Sequence, residues 1–386
     1  MMFQKLLPCY CALSFIMPGA ASAFFSDQST HASDDVDRFA LSTASAQFYI
    51  QRGDWEPPDV LLVVEFEEWQ ESVDAIISAA HADMIPVYVL KNSNDQQYRE
   101  HMMLKEQSSD SVSLNISLDS PWVRDYGPLQ LKTHSGSFKW IDFAYKIDRL
   151  NDDAMPDQLA KLMGASLEHG DYLLDGGAVI SNGNGLCAIT DKSLEAAAVD
   201  PLEPEAFEDF KDILGCEALA VLPALTGEST GHADISAQFL SPELVAVAKV
   251  YQKGNLAVSR ELEETVTLLK SAAEKIDQPL TIIRLPLIVD DEYFYSYING
   301  TRLKDTYLIP SFHNVPSEIE DIAVNAVQSA LPDIELTLIP SDAIVMRGGA
   351  VHCITLGINL PGPMKQNQFW AKKFRKALSS GSILFY

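Results

Sequence analysis

Three things are scarce in this chain of 386 residues: basic side chains, cysteines and long apolar runs. Only 28 Lys and Arg stand against 54 Asp and Glu, a formal charge of -26. Such a surface repels nucleic acid and anionic lipid, and it draws cationic ligands toward it. Solubility accounts for much of that charge, so only its placement in a cleft would give it a binding role. Beyond the first 23 residues no apolar run is long enough to span a bilayer. No G-x-G-x-x-G follows a strand and no P-loop is present, which excludes the two commonest phosphate cradles. No linker rich in Pro, Gly or Ser follows Asp37, which favours one domain over two.

What is there begins with a leader. Lys5, the apolar run Leu6 to Ala20 and the small residues Ala21-Ser22-Ala23 predict a secretory signal peptide over residues 1–23, with a mature start near Phe24. A disordered polar segment over 24–37 and a single domain over 38–386 follow, in an exported protein, periplasmic or secreted, that is free of the membrane after cleavage. Of the five cysteines, Cys9 and Cys11 would leave with the leader. The three that remain, Cys187, Cys216 and Cys353, are an odd and small number, so at least one thiol is free. Cys187 and Cys216 either pair or are plain core residues.

The full chain is 47% hydrophobic and 9% aromatic, enough for a large core. Apolar residues at helical spacing predict helices over Trp69 to His81, Asp157 to Leu167, Glu205 to Leu214, Ser259 to Lys275 and Ser317 to Leu331. Short β-rich runs lie between them, among them Val60 to Phe66, Phe138 to Phe143, Leu186 to Ile189, Leu244 to Lys249 and Tyr307 to Ile309. After a longer first interval the helices recur about every 50 to 60 residues, which suggests a repeated supersecondary unit in an α/β protein.

Chemistry concentrates in five motifs. In Met346-Arg347-Gly348-Gly349-Ala350-Val351-His352-Cys353, a glycine pair allows positive φ and close backbone approach just before a lone thiol. The others are Pro121 to Pro128 with Trp122, Arg124 and Asp125; Leu174-Asp175-Gly176-Gly177; Thr230-Gly231-His232-Ala233-Asp234; and Tyr295 to Gly300. If residues 231 to 235 are extended, His232 and Asp234 share one strand face. By the same alternation His352 points away from Cys353 and reads as an ordinary core or surface side chain. The set His232, Asp234, Asp125 and Asp175 is also a donor set for a metal-dependent hydrolase, and an acidic cleft without catalysis, a pure binding module, is a third reading.

Taken together and in this order, WVRDYGP, LDGG, TGHAD, SYINGTRLKDTYLIPSF and GGAVHCIT resemble the agmatine deiminase and Porphyromonas-type peptidylarginine deiminase family, over about Pro121 to Ile358. The resemblance implies the pentein fold, five ββαβ modules in an α/β propeller with pseudo-fivefold symmetry around a central site. It implies hydrolytic deimination of a guanidinium through a covalent thiouronium on Cys353, with His232 as general acid and base and no metal or organic cofactor. Asp125 and Asp234 would clamp the guanidinium, and Asp175 would orient His232. The partner is a cationic guanidine small molecule, with agmatine going to N-carbamoylputrescine and ammonia as the first expectation and peptidylarginine as the alternative. Trp122 would stack on the guanidinium or its stem, Arg124 would make a structural salt bridge, and Arg149 with Lys146 would meet the carboxylate of an arginine peptide. Two positions depart from the family pattern: Asp175 stands where glutamate is usual, and Ala350 where asparagine is common.

Overall fold

In the computed structural model, residues 49–92, 111–252, 254–290 and 293–360 are described. The leader and the polar segment predicted over 1–37 lie outside them. The repeat expected from helix spacing is present as one unit used five times: two antiparallel strands, a helix, and a third strand laid parallel to the second. Leu129–Thr133 pairs antiparallel with Phe138–Ala144, helix α2 (Met155–Met163) crosses back, and Leu167–Leu173 runs parallel to Phe138–Ala144. Val179–Ser181, Leu186–Thr190 and Ala218–Leu222 repeat the pattern around helix α3 (Pro204–Ile213), and Ala237–Ser241, Leu244–Val250 and Thr281–Val289 repeat it around α4 (Leu256–Lys275). A fourth copy uses Thr301–Arg302, Thr306–Ser311 and Glu335–Pro340 with α5 (Ser317–Ala330).

The remaining copy is assembled from both ends of the described chain. Val60–Val64, helix α1 (Gln70–Ala82) and Val87–Asn92 supply three of its elements, and Thr355–Ile358 supplies the antiparallel partner of Val60–Val64. Five sheets result. All five residues of Val60–Val64 are buried, as a continuous β-branched and leucine run requires of a strand covered on both faces.

Helices tie one unit to the next. The stripe Val258, Leu262, Thr265, Leu269 and Ala272 of α4 is buried at helical spacing, and it packs on its own strand Leu244–Val250 and on Ala218–Leu222 of the preceding unit. In the same way α5 packs on Thr281–Val289, and α1 packs on Glu335–Pro340, which joins the first unit to the last.

Four helices lie within a few residues of their predicted ranges. The fifth was drawn too long: α2 ends at Met163 because Gly164 adopts the left-handed conformation (φ 63°), and Leu167 already belongs to a strand. That strand, LEHGDYL, is half-exposed and polar, so no apolar pattern marks it. Cys187 and Cys216 form a disulfide, which leaves Cys353 as the free thiol among the described residues. A bond of this kind persists in oxidising compartments.

Candidate active site

The polar motifs sit at one kind of place, the connection that leads into the first strand of a unit. A helical turn, Val123–Tyr126, carries Asp125 toward Leu129–Thr133. Asp175 precedes the short 3-10 turn Gly176–Ala178 and strand Val179–Ser181. His232 and Asp234 belong to the turn before Ala237–Ser241, Asn299 precedes Thr301–Arg302, and Cys353 precedes Thr355–Ile358. Each of the five units therefore delivers one polar element.

Asp125, His232 and Cys353 meet at a cavity of about 250 Å³ that Trp122, Lys146 and Arg149 also line, among others. Glycine makes the convergence possible. A Cβ on Gly177 would lie 2.7 Å from Asp125 Oδ1, 2.8 Å from His232 Nδ1 and 3.1 Å from Asp234 Oδ2, so all three side chains crowd the space a side chain would fill. On Gly349 it would lie 2.7 Å from the Trp122 ring and 3.2 Å from Cys353 Sγ, while Gly348 takes a positive φ of 91°. The glycine pair before the thiol thus serves both purposes expected of it.

Hydrogen bonds then fix the polar groups. His232 Nε2 is hydrogen-bonded to Asp175 Oδ2 at 3.0 Å, whereas its Nδ1 makes an ion pair and no hydrogen bond with Asp125 Oδ1, at 3.5 Å. Lys146 Nζ meets the same Asp175 oxygen at 3.3 Å, so the aspartate that stands in for glutamate is anchored twice. Cys353 Sγ donates to Asn299 Oδ1 at 3.4 Å. One oxygen of each clamp candidate, Asp125 Oδ1 and Asp234 Oδ1, is buried without a hydrogen-bond partner. Native proteins rarely leave such acceptors empty unless a ligand fills them.

Burial sets the ionisation. It lifts Asp125 to about 6 and Asp234 to about 6, with His232 opposing the rise in both cases. For His232 burial acts downward, but Asp125, the hydrogen bond to Asp175 and Asp234 outweigh it and raise the imidazole to about 9. Asp175 stays below its ordinary range because the bonds from His232 and Lys146 overcome its own desolvation. Burial, then Asp234 and Asp125, push the Cys353 thiol well above its usual value. The site therefore holds a thiol, an imidazolium and two reluctant carboxylates.

Several sequence expectations change here. Residues 233–235 form a 3-10 turn rather than a strand, so His232 and Asp234 converge around Gly177 and not by strand alternation. His352 and Cys353 lie in a turn rather than on a strand, and His352 Nδ1 reaches Asp234 Oδ2 at 2.7 Å. Arg124 makes no ion pair within 4.0 Å among the described residues; its Nε is buried and unpartnered. Trp122 lines the cavity, as stacking on a substrate requires, and also packs on Trp69 with ring centroids 5.7 Å apart. Arg149 reaches the cavity edge, where its Nη1 donates to the Tyr145 hydroxyl at 3.1 Å. Ala350 is buried and does not line the cavity. Asn299 was part of a flagged motif without a role, and only the fold brings it to the sulfur.

Five ββαβ units bring cysteine, histidine and carboxylates together at one end of the fold, in a mixed α/β protein. The chain belongs to the Porphyromonas-type peptidyl-arginine deiminase family, whose profile matches residues 55–358. A protein of Vibrio parahaemolyticus named "Putative agmatine deiminase" is 26% identical over 282 residues, which cover 64% of this chain and 78% of the relative. Among solved structures, the agmatine deiminase of Enterococcus faecalis superposes with a TM-score of 0.70 at 20% identity, covering 81% of this chain and 96% of its own. The Campylobacter jejuni agmatine deiminase with substrate bound gives 0.67 at 16% identity, covering 81% and 97%. These chains share the fold.

Proposed function

We propose that this protein hydrolyses a guanidinium group to a ureido group and ammonia, with agmatine as the first substrate. One observation carries the proposal: two buried carboxylate oxygens, Asp125 Oδ1 and Asp234 Oδ1, have no hydrogen-bond partner, and Asp125 lines a cavity that also holds a thiol and an imidazolium. A guanidinium offers five N–H donors in a plane and keeps its charge at any physiological pH. Seated on Asp125 and Asp234 it would supply both missing donors, each contact carrying roughly 4 kcal/mol of raw attraction at about 4 Å and an effective dielectric near 20, before desolvation. We read the five units as blades of a propeller with pseudo-fivefold symmetry. The packing of α4, α5 and α1 each on the preceding unit and the strand contributed by the far end of the described chain support that arrangement, and a crystal structure with the five sheets around one axis is its expected confirmation.

The same carboxylates that raise the thiol would be neutralised by the arriving cation, so ionisation of Cys353 is coupled to binding. The Cys353 proton passes to solvent, and the thiolate attacks the central carbon and forms a C–S bond. His232, held by Asp175, gives its proton to one nitrogen, and the C–N bond breaks to release ammonia. The now neutral imidazole takes a proton from water, hydroxide attacks the thiouronium carbon, and the C–S bond breaks to return the thiolate. The ureido product leaves after losing its extra proton to solvent. Asn299, which accepts from the resting thiol, is the group the nucleophile would leave behind on ionisation.

This assignment has a pH signature. Asp125 and Asp234 must be ionised to bind, which fails as pH falls through about 6; His232 must be protonated to release ammonia, which fails as pH rises through about 9. A bell-shaped kcat/KM between these limits is the expected profile, with apparent values belonging to the coupled group. A profile rising without a break beyond pH 10 would remove His232 from the acid role.

Asp125, Asp175 and His232 also have spacing that could hold a metal ion. Activity is expected to survive chelation and to be lost on thiol alkylation.

A second reading, peptidylarginine as substrate, rests on the cavity rim. Lys146, Arg149 and Arg347 surround the mouth, which suits a carboxylate more than the distal amine of agmatine. Yet Lys146 is paired with Asp175 and Arg347 with Glu68, leaving Arg149 without a carboxylate within 4.0 Å among the described residues. Ammonia release on agmatine, free arginine and a peptide ending in arginine decides between them. Agmatine is expected to lead, with Arg149→Ala leaving its turnover intact; faster turnover of the peptide, lost in Arg149→Ala, would establish the second reading.

A further inference from the structure

We infer that His352 is a positioning residue for the guanidinium clamp, its Nδ1–H fixing the Asp234 carboxylate in the rotamer that leaves the other oxygen free for substrate. The inference rests on the deiminase reading above. It starts from a contact that strand alternation had forbidden: His352 Nδ1 and Asp234 Oδ2 are 2.7 Å apart, with the residues 2% and 0% exposed. Asp234 Oδ1 has no partner. One carboxylate oxygen is thus spoken for by the protein and the other is not.

Both ends of this contact are tied to Asn299. The His352 backbone N–H donates to the Asn299 carbonyl at 3.0 Å, and Asn299 Nδ2 donates to the Asp234 carbonyl at 3.2 Å. The donor and acceptor therefore cannot drift apart without breaking the connection that also carries Cys353. Terminal sp³–sp² torsions such as χ2 of aspartate are broad, so a bond to Oδ2 is what sets the plane in which Oδ1 points.

The chemistry of the donor matters as much as its position. Burial, then Arg124, hold the His352 ring well below its ordinary pKa, so it is a neutral donor. A cationic donor would neutralise Asp234 and weaken its pull on a guanidinium, whereas a neutral N–H orients the carboxylate and leaves its charge in place. The other charged or polar groups facing Asp234 are His232, Arg124, Asn299, Asp125 and Cys353. Of these, His232 and Arg124 act on its charge from a distance, and the Asn299 side chain both holds the Asp234 backbone carbonyl and favours the charged carboxyl.

Three substitutions test this. An asparagine side-chain amide can place an N–H near the position of Nδ1, a glutamine near Nε2, and phenylalanine keeps the ring volume without a donor. His352→Phe is expected to lower kcat/KM by roughly 100-fold, the scale of a misplaced binding group, and to move the acid limb of the pH profile upward because Asp234 loses a donor to its charged form. His352→Asn should restore both, and His352→Gln neither. Unchanged kcat/KM with an unmoved acid limb in His352→Phe would overturn the inference, as would equal impairment in the Asn and Gln variants. The Asn and Gln pair decides the matter if the Phe variant does not fold. A 13C titration of the Asp234 carboxyl separates this idea from the deiminase reading. Its midpoint should rise in His352→Gln even if no guanidine is turned over, and an unchanged midpoint sinks the positioning role alone.

Discussion

Cys353→Ala is expected to eliminate ureido product, by roughly 10⁴-fold or more, while leaving the fold intact. The proposed route needs a thiolate to form its covalent bond, Cys353 is the free thiol among the described residues, and the Asn299 amide beside it cannot take that part. Structural cost should be small, because the side chain makes a single weak S–H contact and no disulfide. The variant should still bind substrate, since the clamp of Asp125 and Asp234 is untouched. Binding may be followed by calorimetry with agmatine, turnover by ammonia release. Retained turnover would remove the thiol from the mechanism, and loss of binding together with turnover would show that the substitution had disturbed the clamp.

The helices and the thiol motif were legible because they follow rules that act within a few residues. Helical periodicity marked the crossover helices α1 to α5, and a glycine pair before a lone cysteine marked a close approach. What failed were inferences that needed the neighbouring unit. The H-x-D spacing was read as strand alternation, yet His232 and Asp234 meet Asp125 because Gly177, from a different junction, leaves room for them. His352 was dismissed by the same alternation, although residues 351–354 are a turn and carry no alternating faces. The polar strand Leu167–Leu173 was hidden because its partner supplies the order that its own sequence does not announce. Asn299 could have been found from position: every other junction carries a polar residue just before the first strand of a unit, and the Tyr295 to Gly300 motif occupies the remaining one.

Asp234→Asn should separate stability from activity. The carboxylate is fully buried, and burial raises it from an ordinary 3.8 to about 6 despite the attraction of His232 and Arg124. An acid whose pKa is raised by folding destabilises the fold: the penalty is complete above about pH 6 and disappears as pH falls toward its ordinary value, where both states are protonated. About two units correspond to roughly 3 kcal/mol at pH 8, shrinking to about half of that at pH 5. A neutral amide of the same shape removes the penalty, so denaturant unfolding at pH 8 should show a gain of about that size, and a smaller one at pH 5. Catalysis should move the other way. Losing one arm of a buried charge pair costs about 2 to 5 kcal/mol, or at least about 30-fold in kcat/KM for a guanidinium substrate. A variant that is less stable at pH 8, or as active as the parent, would show that Asp234 is a structural acid and not a charge held in store for the substrate.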